Sequence, residues 1–186
     1  MPGMVALIVV LAVVVVLALA LALAYNRLVR LRNRAGNAWA QVDVQLRRRY
    51  DLIPNLVEAV KGYAAHERQT FEEVVAARNA AQAAGSVAEQ AAAENTLGGM
   101  LRRLFALAEA YPALRASENF QALQADLRDA EDRIAVARQI YNDSTLSYNN
   151  AVQTVPTNLV AALFRFTTRD FFEMGEEARS VPKVQF

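Results

Sequence analysis

A chain with no Cys and a single His, His66, has few routes to covalent or metal chemistry. Thiolate nucleophiles and thiolate metal sites are out. A ferritin-type di-iron bundle needs a Glu-x-x-His on each of two helices, and one His cannot supply two. A Ser-His-acid triad would need His66 as its base, yet no Ser lies in a nucleophile-elbow context. In Ala64-Ala65-His66-Glu67 the imidazole reads as a polar residue on a second helix. Gly98-Gly99 lacks the Lys-Ser/Thr that completes a phosphate loop. The carboxylate neighbours Glu72-Glu73 and Glu131-Asp132 point about 100° apart on a helix, so they read as solvated surface. A metal would need a carboxylate cluster assembled across helices. The expectation is a protein that is not an enzyme and carries no cofactor.

The remaining polar and aromatic residues suit recognition. Arg27, Arg30, Arg32 and Arg34 fall within eight positions. Beside a membrane such a cluster attracts anionic headgroups by about 1 kcal/mol per charge; the same residues would serve equally as topology determinants. Residues 27–49 hold seven Arg against Asp43 alone, a net of +6, which leaves −5 for residues 50–186 of a chain whose total is +1. The acidic remainder carries no nucleic-acid-binding motif, so no nucleic-acid partner is expected. Arg47-Arg48-Arg49 lie roughly 30 Å along a straight helix from the apolar run, beyond a Debye length. They face solvent or pair with acids on a neighbouring helix.

Asn37, Gln41, Asp43, Gln45, Asp51 and Asn55 read as register devices, because buried amides demand partners. A partner-binding face containing Trp39, Gln41 and Gln45 is the sharper alternative. Near the end, Phe164, Phe166, Phe171 and Phe172 concentrate aromatic surface, with Phe186 at the terminus. They would cap a bundle, lie on a membrane surface or bind a partner, and capping is the primary expectation. Fully exposed, they would make a larger apolar patch than monomers usually show.

These groups are positioned by long helices. Met4–Ala24 reads MVALIVVLAVVVVLALALALA, with no polar residue, Gly or Pro. About twenty such residues span a hydrocarbon core of roughly 30 Å. Ala22-Leu23-Ala24 resembles a signal cleavage site, but Met1–Gly3 carry no side-chain charge and the run exceeds the length of a signal's apolar region. The expectation is an uncleaved single-pass anchor. The Arg cluster on its C-terminal flank predicts the N-terminus outside and residues 27–186 in the cytoplasm.

The fold class expected is all-α: an N-terminal transmembrane helix, then an antiparallel long-helix bundle of about four helices. The domains are a short tail (1–3), the span (4–25), the bundle (26–155) and an aromatic short helix with a C-terminal tail (156–186). The first bundle helix follows Leu28, Leu31, Ala35, Trp39, Val42 and Leu46 to about Tyr50, and no breaker but Gly36 separates it from the span. A second opens at Asp51-Leu52-Ile53-Pro54, since Pro is tolerated in a first turn, and stops at Gly85-Ser86. A third covers about 87–110, with Gly98-Gly99 as a kink or a close helix contact. The fourth carries an a/d seam of five heptads, from Phe120 through Leu127, Ile134, Tyr141 and Tyr148 to Val155, and Pro156 ends it. The seam's Tyr hydroxyls should find partners.

The run Asn37-Ala-Trp39-Ala-Gln41-Val-Asp43-Val-Gln45-Leu-Arg47-Arg-Arg-Tyr-Asp51-Leu-Ile-Pro54-Asn55-Leu-Val-Glu58 resembles the signature of the LemA family. The likeness continues through Lys61-Gly62-Tyr63, Ala77-Arg78-Asn79-Ala80, Glu109-Ala110-Tyr111-Pro112, Glu118-Asn119-Phe120, Tyr141-Asn142-Asp143, Tyr148-Asn149 and Pro156-Asn158-Leu159 in order along nearly the whole chain. The resemblance implies a bacterial inner-membrane protein with an N-terminal span and an antiparallel bundle. It implies no activity. Two functions are open: a scaffold that forms homo-oligomers and organises or remodels the lipid bilayer, or an accessory subunit that docks a membrane protein, such as a protease, through the aromatic tail.

Overall fold

The computed structural model describes residues 2–173, and all regular structure among them is helical. The elements are α1 (Pro2–Lys61), α2 (Arg68–Ala83), α3 (Val87–Glu109), α4 (Pro112–Arg115), α5 (Glu118–Gln153) and α6 (Thr157–Leu163). The all-α expectation holds, with a long apolar helix at the N-terminus. The part of the aromatic tail beyond Glu173, including Phe186, lies outside the described residues.

The apolar run and the first bundle helix are one helix, α1, unbroken for 60 residues. It also passes through Pro54, where the sequence predicts the start of a new helix. Proline removes the N–H that would bond the carbonyl four residues back, that of Tyr50. Arg78 on α2 fills the gap: its Nε donates to the Tyr50 carbonyl at 2.8 Å. A residue distant in sequence thus repairs the ladder and lets α1 continue to Lys61. The chain turns instead at Gly62–Glu67, so His66 lies exposed in this turn and not on a helix.

Two compact units divide the described residues: 2–38 with Ile140–Arg169, and Trp39–Gln139 with 170–173. In the second unit, α2 and α3 pair antiparallel. Arg103 bridges to Glu73 at 2.8 Å near one end, and the Gln90 amide donates to the Ala81 carbonyl at 3.0 Å near the other. Ser86 starts α3 by accepting from the Glu89 N–H at 3.2 Å, while the Glu89 carboxylate accepts from the Gly85 N–H at 2.9 Å. This reciprocal pairing satisfies two amides at the helix entrance. Gly98 and Gly99 make no close contact, since a Cβ on either would meet nothing within 4 Å.

In the first unit, Leu28, Tyr148, Ala151, Val160, Ala161 and Phe166 form one buried cluster that joins α1, α5 and α6. The α5 seam is buried from Phe120 to Ala151, as its spacing predicts, but Val155 is 79% exposed because the helix ends at Gln153.

Candidate functional site

Three surfaces and networks carry the chain's chemical character. The first is the apolar run itself. From Met4 to Leu23 its large side chains stand 44–68% exposed, so the described chain leaves them largely uncovered. Among the described residues, this is the one helix long and apolar enough to cross a membrane. Arg27, Arg30, Arg32 and Arg34 follow it and are all exposed.

The second is the aromatic segment. α6 buries Val160 and Ala161 in the first unit's cluster, with Ala24 of α1 packed at its edge. Its other face leaves Leu159 at 69% and Leu163 at 67% exposure. The helix closes through the Phe166 N–H to the Ala161 carbonyl at 2.9 Å and the Arg165 N–H to the Ala162 carbonyl at 3.4 Å. This Schellman closure needs a left-handed residue, usually Gly, and here Arg165 takes it at φ 55°. The turn swings Phe166 back into the core, edge-on to Tyr25 at 5.7 Å, with the Arg32 guanidinium 5.2 Å from its ring centroid. Phe164 stays half-exposed against Tyr25 at 4.8 Å.

The segment that follows is tied to α5. The Tyr148 hydroxyl donates to the Thr167 carbonyl at 2.8 Å; the Asn149 amide donates to the Arg169 carbonyl at 2.8 Å and accepts from the Arg169 N–H at 2.9 Å. Burial pushes the Tyr148 phenol above its ordinary pKa, against the opposing influence of Arg169 and Arg32.

The third lies in the second unit, where Arg49 and Glu94 form an ion pair, both essentially sealed from solvent. Arg49 also pairs with Glu131 on α5, whose side chain is partly exposed. The Glu94 carboxylate accepts from the Tyr50 hydroxyl, and from the Gln90 amide at 3.0 Å. Gln90 donates as well to the Tyr50 hydroxyl at 2.8 Å. Burial raises the Tyr50 pKa, and the nearby Arg49 charge and Gln90 hydrogen bond only partly offset it. Carboxylates do converge across helices here, but around a guanidinium. Among the described residues, no group of three or more His, Asp or Glu could hold a metal ion.

The Arg triplet therefore divides. Arg47 bridges to Asp43 on its own helix at 2.9 Å, Arg48 reaches Asp129 on α5 at 3.2 Å, and Arg49 goes inside. Glu131, read from sequence as solvated surface, is an ion-pair partner. A signal for the network was present. Val42, Leu46, Arg49 and Ile53 step by four, three and four along α1, and Gln90, Glu94, Leu97, Leu101 and Leu104 do the same along α3. Three polar residues sit on apolar seams, where their partners must be other seam residues.

The remaining candidates scatter. Trp39 packs edge-on against Phe172 at 5.3 Å, and Phe172 is fully buried. Gln41 is exposed, while Gln45 is half-buried with a sequestered oxygen that accepts no hydrogen bond. Phe171 is 38% exposed. These residues belong to the second unit, whereas Phe164 and Phe166 belong to the first.

Residues 38–186 match the LemA family. Among individual proteins, the chain is 27% identical over 174 residues to magnetosome protein MamQ of Magnetospirillum gryphiswaldense, covering 80% of this chain and 64% of the relative. It is 26% identical over 175 residues to MamQ 2 of Paramagnetospirillum magneticum, with the same coverage. Against protein LemA of Metamycoplasma hominis it is 25% identical over 158 residues, covering 83% of this chain and 71% of the relative. The chain spans just under two thirds of the length of the magnetosome relatives it matches.

Proposed function

The chain belongs to the LemA family, and on that premise we propose that it is a membrane-anchored, non-enzymatic helical scaffold that self-associates and organises or shapes the bilayer. The observation that carries this reading is the bare apolar run of α1, exposed along its length and followed at once by an exposed Arg cluster. A lone helix of this composition is stable in hydrocarbon because its backbone bonds are all internal. The second unit's most distinctive polar groups, Arg49, Glu94, Tyr50 and Gln90, pair with one another, which suits a structural role. Arg27, Arg30 and Arg34 then lie at the headgroups of the bacterial inner membrane, with residues 27–186 on the cytoplasmic side. Single Cys residues introduced into this Cys-free chain test the sidedness by their reaction with an impermeant thiol reagent on intact cells.

Clustering of the fluorescently tagged full chain in native membranes tests the scaffold. The variant Arg27→Gln, Arg30→Gln, Arg34→Gln should keep the protein in the membrane and disperse its clusters. Clusters that persist unchanged would remove the Arg residues from the mechanism. The accessory-subunit reading rests on Phe164 and Phe171, the two aromatics of the segment left substantially exposed. It requires a stoichiometric partner that Phe164→Ser with Phe171→Ser releases, and an unaltered pull-down would sink it.

A further inference from the structure

We propose that α6 is a second membrane contact, inserting Leu159, Leu163 and Phe164 at the headgroup–acyl boundary of the leaflet where α1 leaves the bilayer. The proposal rests on the reading of α1 as a membrane span. α6 is held beside the end of the apolar run: Val160 and Ala161 share the buried cluster with Leu28, and Ala24 packs against it. Ala24 is the last residue of that run. Leu163 and Phe164 reach further back, lining with Leu21, Ala22, Tyr25 and Asn26 a cleft of about 250 Å³. Leu21 lies three residues inside the run, a depth of about 4.5 Å along the helix axis. Side chains that share a cleft with Leu21 stand at the depth of the interface whenever Leu21 does.

The chemistry of the face agrees with the depth. Leu159 and Leu163 are one helical turn apart on the side of α6 turned away from the core. In water that face would hold two leucines and half a phenylalanine ring open to solvent. At the interface it buries them as an amphipathic helix lying in the plane of the bilayer does. Tyr25 sits at the same level, where aromatic side chains with a polar tip are favoured. Exposed Arg165 and Arg27 supply cations for lipid phosphates. The left-handed Arg165 has a role on this account: a cationic side chain stands at the turn where Gly would serve the backbone better.

The experiment uses the absence of Cys. Full-length single-Cys variants Leu11→Cys, Leu159→Cys, Leu163→Cys and, as a water-facing reference, Asn95→Cys are spin-labelled. They are reconstituted into phosphatidylcholine–phosphatidylglycerol vesicles, and collision with oxygen is compared with collision with a water-soluble nickel chelate. The expected result is that labels at Leu159 and Leu163 are several-fold less accessible to nickel than the label at Asn95 and readily accessible to oxygen, at a shallower depth than Leu11. A lipid-buried Leu11 with Leu159 and Leu163 matching Asn95 would overturn the second contact alone. A water-exposed Leu11 would overturn the span, and the inference with it. Labels at Leu159 and Leu163 shielded from both reagents, with dipolar broadening between copies, would assign the face to a second copy of the chain and reject the lipid contact.

Discussion

Replacing Arg49 by Met should be among the most damaging single changes in the second unit, and replacing Glu94 by Gln as well should recover much of the loss. Arg49→Met leaves the Glu94 carboxylate fully buried with two hydrogen-bond donors, Tyr50 and Gln90, and no cation. Breaking one side of a buried ion pair costs about 3–5 kcal/mol, because the survivor's desolvation is uncompensated. Glu94→Gln alone should cost less, since Arg49 keeps Glu131. In the double variant both charges are gone, and the amide oxygen introduced at position 94 still accepts from Tyr50 and Gln90. Removing a buried pair together is often close to neutral. The two sites should therefore couple by about 2 kcal/mol or more, within the range of contacting residues.

The reference state adds a pH signature. With Arg49 gone, the folded state holds Glu94 protonated more tightly than the unfolded chain does. The deficit is then smallest below the ordinary Glu pKa, about 4.3, and grows as pH rises above it. Urea unfolding of the full chain in mild detergent, followed by the one Trp, Trp39, measures all four corners of the cycle. Additive losses that do not vary with pH would refute the buried-pair reasoning.

Three further outcomes are expected. Arg78→Met should destabilise by about 1–3 kcal/mol by orphaning the Tyr50 carbonyl, and Pro54→Ala should offset part of this by returning the helix's own N–H; both are read by the same unfolding curves. Gly98→Ala and Gly99→Ala should each stabilise α3 by up to about 1 kcal/mol, since neither Cβ meets a neighbour, and a fall in melting temperature would expose an unseen contact. Tyr50 and Tyr148 should ionise above the ordinary phenol value of 10.0, so the stability tied to their protonated forms is whole below pH 10 and declines as pH rises through the folded values. Phenolate absorbance of Tyr50→Phe and Tyr148→Phe against the parent assigns the late-titrating groups.

Local signals carried the architecture well. The apolar run, the α5 seam, the Ser86 start of α3 and the stop at Pro156 each depend on neighbours in sequence, and each was legible. The continuation of α1 through Pro54 was not, because the group that repairs the helix belongs to Arg78 on another element. The buried network was half legible. Pairing of the Arg triplet with acids on a neighbouring helix was one of its two expected fates. That Arg49 is the buried member shows only in its place on the Val42–Ile53 seam, as Glu94 shows in its place on the α3 seam. The aromatic segment resisted a single reading because it is divided: Phe166 and Phe172 are consumed by the fold, while Phe164 and Phe171 remain substantially open. That Phe166 turns inward depends on the left-handed turn at Arg165, a residue type that gives no warning of one.

The most direct test of the scaffold is the mass of the full-length protein gently extracted from its native membrane, with every co-purifying chain identified. A self-associating scaffold should yield a homogeneous assembly of several copies of this chain alone, with bound lipid. A monomer at every concentration, or a small particle carrying a stoichiometric second protein, would contradict it.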